Sequence, residues 1–300
     1  MQEAIIYFRR MIDLVFRVRN KLRVALQATM PIPMNQKASD SEQTFYVETV
    51  ERIVEDDSQY RRFRRIFDYR EILEHVTFRQ GSEYISRVRE LCPELLMNSN
   101  AFRENDLVGH PRTYGYNEIG KFSPTTLRYI SVGAELQTIF GKNFSGSIVE
   151  IGIGYGGQCA ILHKIFKISK YGLYDLNAVL NLGEKYLRSV GVIGNPIRRT
   201  LADFNGESWD LAVSNYAFSE LPRGLQIEYI EKVLSKSSRG YLIMNSGRTN
   251  HTGRSTGKLT LAEIVEYLPP TTILEEYPKT GSDNFVITWG QELRTTLTKS

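Results

Sequence analysis

Cysteine is nearly absent: Cys92 and Cys159 are the only two in 300 residues. Two thiols cannot build a disulfide framework, and no CxxC pair or Cys/His cluster marks structural zinc. A reducing, cytoplasmic setting is therefore expected. An excess of one charge is missing too. Thirty-eight basic against 34 acidic residues leave +4, too mild and too well mixed to imply a nucleic-acid partner. No apolar run approaches about 18 residues, and arginines interrupt the N-terminal one, so neither a spanning helix nor a cleavable leader is expected. Internal repeats are absent as well. With 41% hydrophobic residues, 17 Tyr and 14 Phe, the chain is neither disordered nor collagenous. Its length suits one large α/β domain or a catalytic domain with an extension.

The small net charge is unevenly placed. Residues 1–30 carry six basic side chains against Glu3 and Asp13, which is itself +4. Ala4, Phe8, Met11, Val15, Val18, Leu22 and Ala25 follow the four-three spacing of an apolar seam, with every Arg and Lys off it. That spacing predicts an amphipathic basic helix. Packing of the stripe on its own domain is the ordinary use. Homo-oligomer formation through the seam is a second, and peripheral contact of residues 1–26 with an anionic membrane surface a third.

Pro31, Pro33 and the polar run from Asn35 to Asp40 break this helix. From Ser41 to about Leu91 apolar residues recur at helical spacing, among them Phe63, Ile66 and Phe67, then Tyr84, Ile85 and Val88. The run Arg61 to Arg65 reads as a solvated face paired with nearby Glu55, Asp56, Asp57 and Asp68. Residues 98–123 turn irregular and polar, which suggests a substrate lid. A helix resumes after Pro124. Strands and helices then alternate, the pattern of an open, mostly parallel sheet. The expected division is 1–30, a basic helix; 31–123, a helical extension and lid; and 124–300, the ligand-binding α/β domain.

The most informative stretch runs from Ser147 to Ala160: a β-branched strand, the glycines 152, 154, 156 and 157, then a helix. Glycines permit sharp turns and close approach of a ligand, and the helix start offers unpaired N–H groups. Gly152, Gly154 and Gly157 satisfy the dinucleotide spacing GxGxxG, a weak signal alone. Asp175, at the end of the next strand, suits ribose hydroxyls in either a dinucleotide or a nucleoside-sulfonium site. Glu150 decides between them: a carboxylate two residues before the first glycine is unfavourable beside a pyrophosphate and favourable beside a cation. Asp203, at the end of the third strand, is placed to meet an adenine amine, and the strand from Trp209 leads to a polar loop at Asn215.

Val149-Glu150-Ile151-Gly152-Ile153-Gly154-Tyr155-Gly156-Gly157, with Asp175, Asp203 and the Asp210–Asn215 strand, resembles the class I S-adenosylmethionine-dependent methyltransferases. More narrowly, Asn105-Asp106 with Pro111, the segment Ser123–Tyr129, the glycine loop through Cys159 and the segment Ser214–Glu220 resemble a family of sugar O-methyltransferases. The likeness covers about residues 98–290. It implies a Rossmann-like α/β fold: a seven-stranded, mostly parallel sheet with a reversed C-terminal hairpin, preceded by a helical N-terminal region. It implies S-adenosyl-L-methionine as cofactor, held by Glu150, Gly152, Gly154, Tyr155, Gly156 and Gln158, by Asp175 and Leu176, by Asp203 and Phe204, and by Asn215. The implied acceptor is a sugar, nucleotide-sugar or glycan, and no metal is called for. A non-sugar small molecule, a lipid or a protein as acceptor, or a non-catalytic protein keeping the fold, are the alternatives.

Methyl transfer to a hydroxyl needs alignment and removal of a proton. Alignment alone reaches roughly 7–11 kcal/mol in ideal cases, and a placed base adds about 10²–10⁴-fold. Glu220, His251 and Asp106 are the candidate catalytic groups, Glu220 and His251 from loops at the carboxyl edge of the sheet and Asp106 from the lid. No His, Asp or Glu spacing compels a metal, although Glu220 with Asp106 could bind one. Asn105, His110 and Tyr114 from the lid, Thr126, Arg128 and Tyr129 from the following helix, and Tyr216 are the candidate acceptor contacts. Arg128 and Tyr129 are expected to orient sugar hydroxyls or a phosphate. His75 and His163 sit in helical text and read as structural.

Overall fold

Two sheets, a small hairpin and a seven-stranded core sheet, appear in the computed structural model, which describes residues 44–194, 196–248 and 257–290. The helix expected over 1–30, with its oligomer and membrane readings, and His251 lie outside the described residues. The hairpin pairs β1 (Tyr114–Tyr116) with β2 (Gly120–Phe122). The core sheet comprises β3 (Ser145–Ile151), β4 (Lys167–Tyr174), β5 (Pro196–Arg199), β6 (Leu211–Asn215), β7 (Gly240–Met244), β8 (Thr271–Glu275) and β9 (Phe285–Trp289). Its order is β5-β4-β3-β6-β7-β9-β8, parallel except around β9, which runs antiparallel to β7 and β8. This is the mostly parallel sheet with a reversed terminal hairpin expected from the strand–helix alternation. Strands β3 and β7 are buried on both faces over Ile148–Ile151 and Gly240–Met244, and apolar there apart from Glu150, as helix-covered parallel sheets require.

Eleven α-helices occur among the described residues: α1 (Thr44–Glu55), α2 (Asp57–Tyr60), α3 (Phe67–Leu73), α4 (Phe78–Leu91), α5 (Pro93–Met97), α6 (Pro124–Phe140), α7 (Gly157–Ile165), α8 (Asn177–Ser189), α9 (Ala217–Glu220), α10 (Arg223–Lys232) and α11 (Leu261–Tyr267). Helix α4 starts where Thr77 and Gln80 form a reciprocal capping box. It buries Gly81, Tyr84, Ile85 and Val88, one face of a 3.6-residue period, mainly against α6. Each large apolar side chain so buried contributes roughly 1.5–3 kcal/mol. Helix α6 starts at Ser123, whose hydroxyl accepts from the Thr126 amide at 3.1 Å, with Pro124 in the first turn. It ends at Gly141, where φ is +97°. Every residue of α6 from Pro124 to Gln137 is buried, because α4 covers one side and α7 another. The helices before Ser123 and the sheet share one apolar core, in which Tyr46, Val50 and Ile53 of α1 join Val179, Leu182 and Tyr186 of α8. Among the described residues no helix is long and apolar enough to cross a membrane.

The arginine run departs from its expected surface role. Arg64 is 1% exposed. Its guanidinium donates to Glu74 Oε1 at 2.6 Å, to Asp106 Oδ1 at 3.1 Å, to the Asn105 carbonyl at 2.8 Å and to Ser123 Oγ at 2.9 Å, and it lies over the ring of Tyr155. Asp106 completes the knot by accepting from the Ser123 amide at 2.6 Å and the Thr126 hydroxyl at 2.7 Å. This network ties the start of α6 to the two segments before it. Arg64→Met is expected to leave two buried carboxylates without their cation, at a cost of about 3–5 kcal/mol. Urea unfolding at neutral pH measures this, and a loss below about 1 kcal/mol would show that the network adds little.

Candidate active site

A cavity of about 550 Å³ opens at the carboxyl ends of the parallel strands, where open α/β sheets bind their ligands. The chain leaves β3 toward β4 and β5 on one side and returns to β6 on the other, so a topological switch point lies between β3 and β6. Gly152 and Gly154 follow β3, and Asn215 ends β6; all three line the cavity. Both glycines need the left-handed backbone, with φ +79° and +55°. A side chain at Gly152 would overlap Cβ of Ala217, so the close approach of the β3 and β6 loops depends on its absence.

Asp175, at the end of β4, also lines the cavity. Its Oδ2 accepts from the Ile153 amide at 2.8 Å and its Oδ1 from the Leu176 amide at 2.7 Å. The carboxylate is thus locked in orientation by the glycine loop and by its own turn. Leu176 lies beside it in the wall. Asn215 donates through Nδ2 to Gln158 Oε1 at 3.1 Å, and Gln158 in turn donates to the Tyr129 carbonyl at 3.2 Å. Asn215 Oδ1, Tyr174 Oη and Arg128 Nε are buried in the wall without a hydrogen-bond partner. Native proteins rarely leave such atoms unpaired, at about 1–3 kcal/mol each, unless a ligand or water completes them.

Glu220 lies in the wall on α9 and accepts from Asn245 Nδ2 at 3.0 Å. Tyr216, just before α9, has φ +70°, strained for a bulky side chain. Its hydroxyl donates to Glu276, and its ring lies 5.9 Å from the Arg128 guanidinium carbon. Arg128 and Tyr216 both line the cavity.

The structure places the other expected site residues elsewhere. Glu150 is 1% exposed and away from the cavity wall, accepting from Tyr171 Oη at 2.7 Å. Asp203 is exposed; its carboxylate caps the turn it starts, accepting from the Thr200 amide and hydroxyl. Thr200 and Leu201 hold the wall position expected for Asp203 and Phe204. Tyr155 is wholly buried in an aromatic cluster with Phe63 and Tyr186. Gly156 serves the turn into α7 at φ +88°, and Gln158 acts only through Asn215. Asp106 belongs to the Arg64 knot and does not share the cavity with Glu220, so this pair offers no metal site. Asn105 is 1% exposed and bonded to Thr126 and Tyr186. His110 is exposed, with its carbonyl held by Arg65; Tyr114 packs on Phe78; Thr126 and Tyr129 are buried in α6. Residues 98–123 thus form packed turns and a hairpin that contribute nothing to the cavity wall.

No protein-family model matches the chain, and no curated protein matches it. Solved structures similar to it include an O-methyltransferase family protein from Burkholderia thailandensis, at 11% identity and a TM-score of 0.38 over 54% of this chain and 57% of that one. The pyocyanin biosynthetic protein PhzM aligns at 12% and 0.42 over 55% and 56%. An rRNA methylase from Streptococcus thermophilus aligns at 15% and 0.38 over 52% and 92%. The matched region spans little more than half of the first two proteins.

The far wall of the cavity comes from helices that the sequence did not connect with the site. Tyr46 of α1, Leu73 of α3 and Tyr84 of α4 face the strand ends, with His75 and Val76 from the α3–α4 turn. The capping box at Thr77 and Gln80 was the available signal, since it makes His75 a turn residue rather than a helical one. Desolvation by the surrounding protein, with Arg128 as a nearby positive charge, holds the His75 imidazole below its ordinary pKa, against hydrogen bonds to the Ile72 and Glu71 backbone and the charge of Glu71. The downward shift favours the neutral ring at pH 7.

Proposed function

We propose that this protein is an S-adenosyl-L-methionine-dependent methyltransferase acting on the hydroxyl of a small acceptor, with a sugar as the acceptor class. The observation that carries the reading is one cavity at the switch point, joining Gly152, Gly154, Asp175 and Asn215 on the strand side to Tyr46, His75, Tyr84 and Arg128 on the helical side. The strand side fits the cofactor. The glycines leave backbone room, a locked carboxylate suits vicinal ribose hydroxyls, and Asn215 Oδ1 and Tyr174 Oη are buried polar atoms awaiting partners. Its charge fits as well: Asp175 and Glu220 give the wall two acids, while Arg128 is the only arginine or lysine among the described lining residues. That balance favours a cationic ligand over a dinucleotide with two phosphates.

The chemistry available from this cofactor is a methyl carbon on a positively charged sulfur, open to in-line displacement by oxygen. The chain's task is to hold the hydroxyl in line and remove its proton. His75 is our candidate proton acceptor, because it lines the helical side of the cavity with Arg128 and its lowered pKa favours the neutral ring at pH 7. Glu220, fastened to Asn245, faces the strand-side ligand and supplies negative potential. The mixture of tyrosine faces and polar groups supports a sugar, whose apolar face and hydroxyls need both.

S-adenosylhomocysteine is expected to raise the melting temperature and NAD to leave it unchanged; the reverse would sink the methyltransferase reading. With an active acceptor in hand, His75→Gln is expected to lower kcat by about 10²–10⁴-fold and to remove the acid limb of the pH profile, which His75 places below its ordinary pKa of about 6.5. Glu220→Gln should act mainly on cofactor binding. If His75→Gln left kcat and its pH profile intact, the proton would go elsewhere.

A further inference from the structure

The helical side of the cavity carries a cation that the protein itself does not neutralise. Arg128 is 7% exposed. Among the described residues it makes no ion pair, and its Nε is buried without a partner. Its guanidinium carbon lies 5.4 Å from the ring centre of Tyr129 and 5.9 Å from that of Tyr216, and the side chain also donates a hydrogen bond to the Tyr129 hydroxyl. The acids on neighbouring elements are engaged elsewhere. Glu135 accepts from Arg87 Nε at 3.1 Å and from the Tyr241 hydroxyl. Glu276 accepts from Tyr216, from the Thr280 amide at 2.7 Å and from Asn284 Nδ2 at 2.9 Å.

A buried, unpaired guanidinium is costly. This one is also built in: Tyr216, at φ +70°, accepts backbone strain, and the outcome is a ring set beside Arg128. The contrast with Arg64 is direct, since that guanidinium is also buried but has two carboxylates and two further acceptors. Arg128 lines the ligand cavity; Arg64 does not.

We infer that Arg128 is a recognition site for an anionic group on the methyl acceptor, so that the acceptor is an acidic sugar bearing a carboxylate or a phosphate rather than a neutral one. The planar fork of a guanidinium matches either anion with two parallel hydrogen bonds. The Tyr129 hydroxyl holds the side chain by a hydrogen bond, and the rings of Tyr129 and Tyr216 flank the guanidinium. A neutral acceptor would leave the charge unpaired and bind less well. This inference deepens the methyltransferase reading and rests on it for the identity of the strand-side ligand.

The test uses the full-length protein with saturating S-adenosylhomocysteine and three probes at equal concentration: glucose, glucuronate and glucose 6-phosphate. At about ten times its dissociation constant, a bound anionic probe should raise the melting temperature by roughly 2–3 °C, and glucose should not. Whichever anion responds identifies carboxylate or phosphate as the recognised group. Arg128→Met should abolish the response while keeping the shift from S-adenosylhomocysteine. Its ligand-free melting temperature should equal or exceed that of the parent, because an uncompensated buried charge has gone. Should Arg128→Met not fold, Arg128→Lys keeps the charge without the fork and should respond about tenfold more weakly. Equal responses to glucose and the anions, no response to either anion, or an undiminished response in the variants would overturn the inference. If S-adenosylhomocysteine itself gives no shift, the methyltransferase reading fails, while the anion arms, run without it, still report on Arg128.

Discussion

Gly152→Ala is expected to destabilise the protein by on the order of 3 kcal/mol and to weaken S-adenosylhomocysteine binding by more than tenfold. Two costs add at this position. The backbone holds φ at +79°, which costs an L side chain roughly 1–2 kcal/mol. The new methyl also overlaps the Cβ of Ala217, and overpacking of a tight site costs about 1–3 kcal/mol. Relieving the overlap separates the loops after β3 and β6, which between them carry Gly152, Gly154 and Asn215. The double variant Gly152→Ala, Ala217→Gly isolates the terms, since it removes the steric overlap but leaves the backbone strain. It should recover part of the stability and most of the binding. Calorimetry on the parent and the two variants measures both quantities; unchanged binding in the single variant would mean that the loops need not approach so closely.

That dependence shows why the sheet was legible in the sequence and much of the site was not. Strand–helix alternation and the glycine loop are local patterns, and they locate β3, β4, β6 and β7 and the reversed hairpin to within a few residues. Gly152, Gly154, Asp175 and Asn215 were legible for the same reason, because each sits at the end of a strand whose position the pattern gives. Acidic residues on the same segments misled. Glu150 and Asp203 stand at the right chain positions, yet one turns into the core toward Tyr171 and the other caps its own turn. Asp106 and Asn105 misled differently: polar residues in an irregular segment resemble a lid, and here they satisfy Arg64, whose burial no charge count reveals. The helical wall was illegible because it depends on α1, α3 and α4 packing back over the strand ends, a tertiary event between residues as distant in sequence as Tyr46 and Asn215.

Glu150 gives the sharpest test of that distinction. Its carboxyl group is buried, and burial pushes its pKa up to about 8, with Tyr171 opposing through a hydrogen bond and the charge of Asp175 raising it further. The folded state therefore binds this proton more tightly than the unfolded chain, whose pKa is about 4.5. Stability that is fully present below about pH 4.5 is lost as pH rises toward 8, reaching on the order of 3 kcal/mol at pH 7. Glu150→Gln keeps the size of the group and an acceptor for the Tyr171 hydroxyl but never ionises. It is expected to exceed the parent in stability by less than about 1 kcal/mol at pH 5 and by about 3 kcal/mol at pH 7. Denaturant titrations at the two pH values measure the difference. A carboxylate acting on a sulfonium would behave otherwise, because its loss would weaken S-adenosyl-L-methionine binding while sparing the uncharged thioether of S-adenosylhomocysteine. With the carboxyl turned away from the cavity, the ratio of those two affinities should stay within about twofold of the parent. A selective tenfold loss for the sulfonium, with no gain in stability at pH 7, would return Glu150 to the ligand.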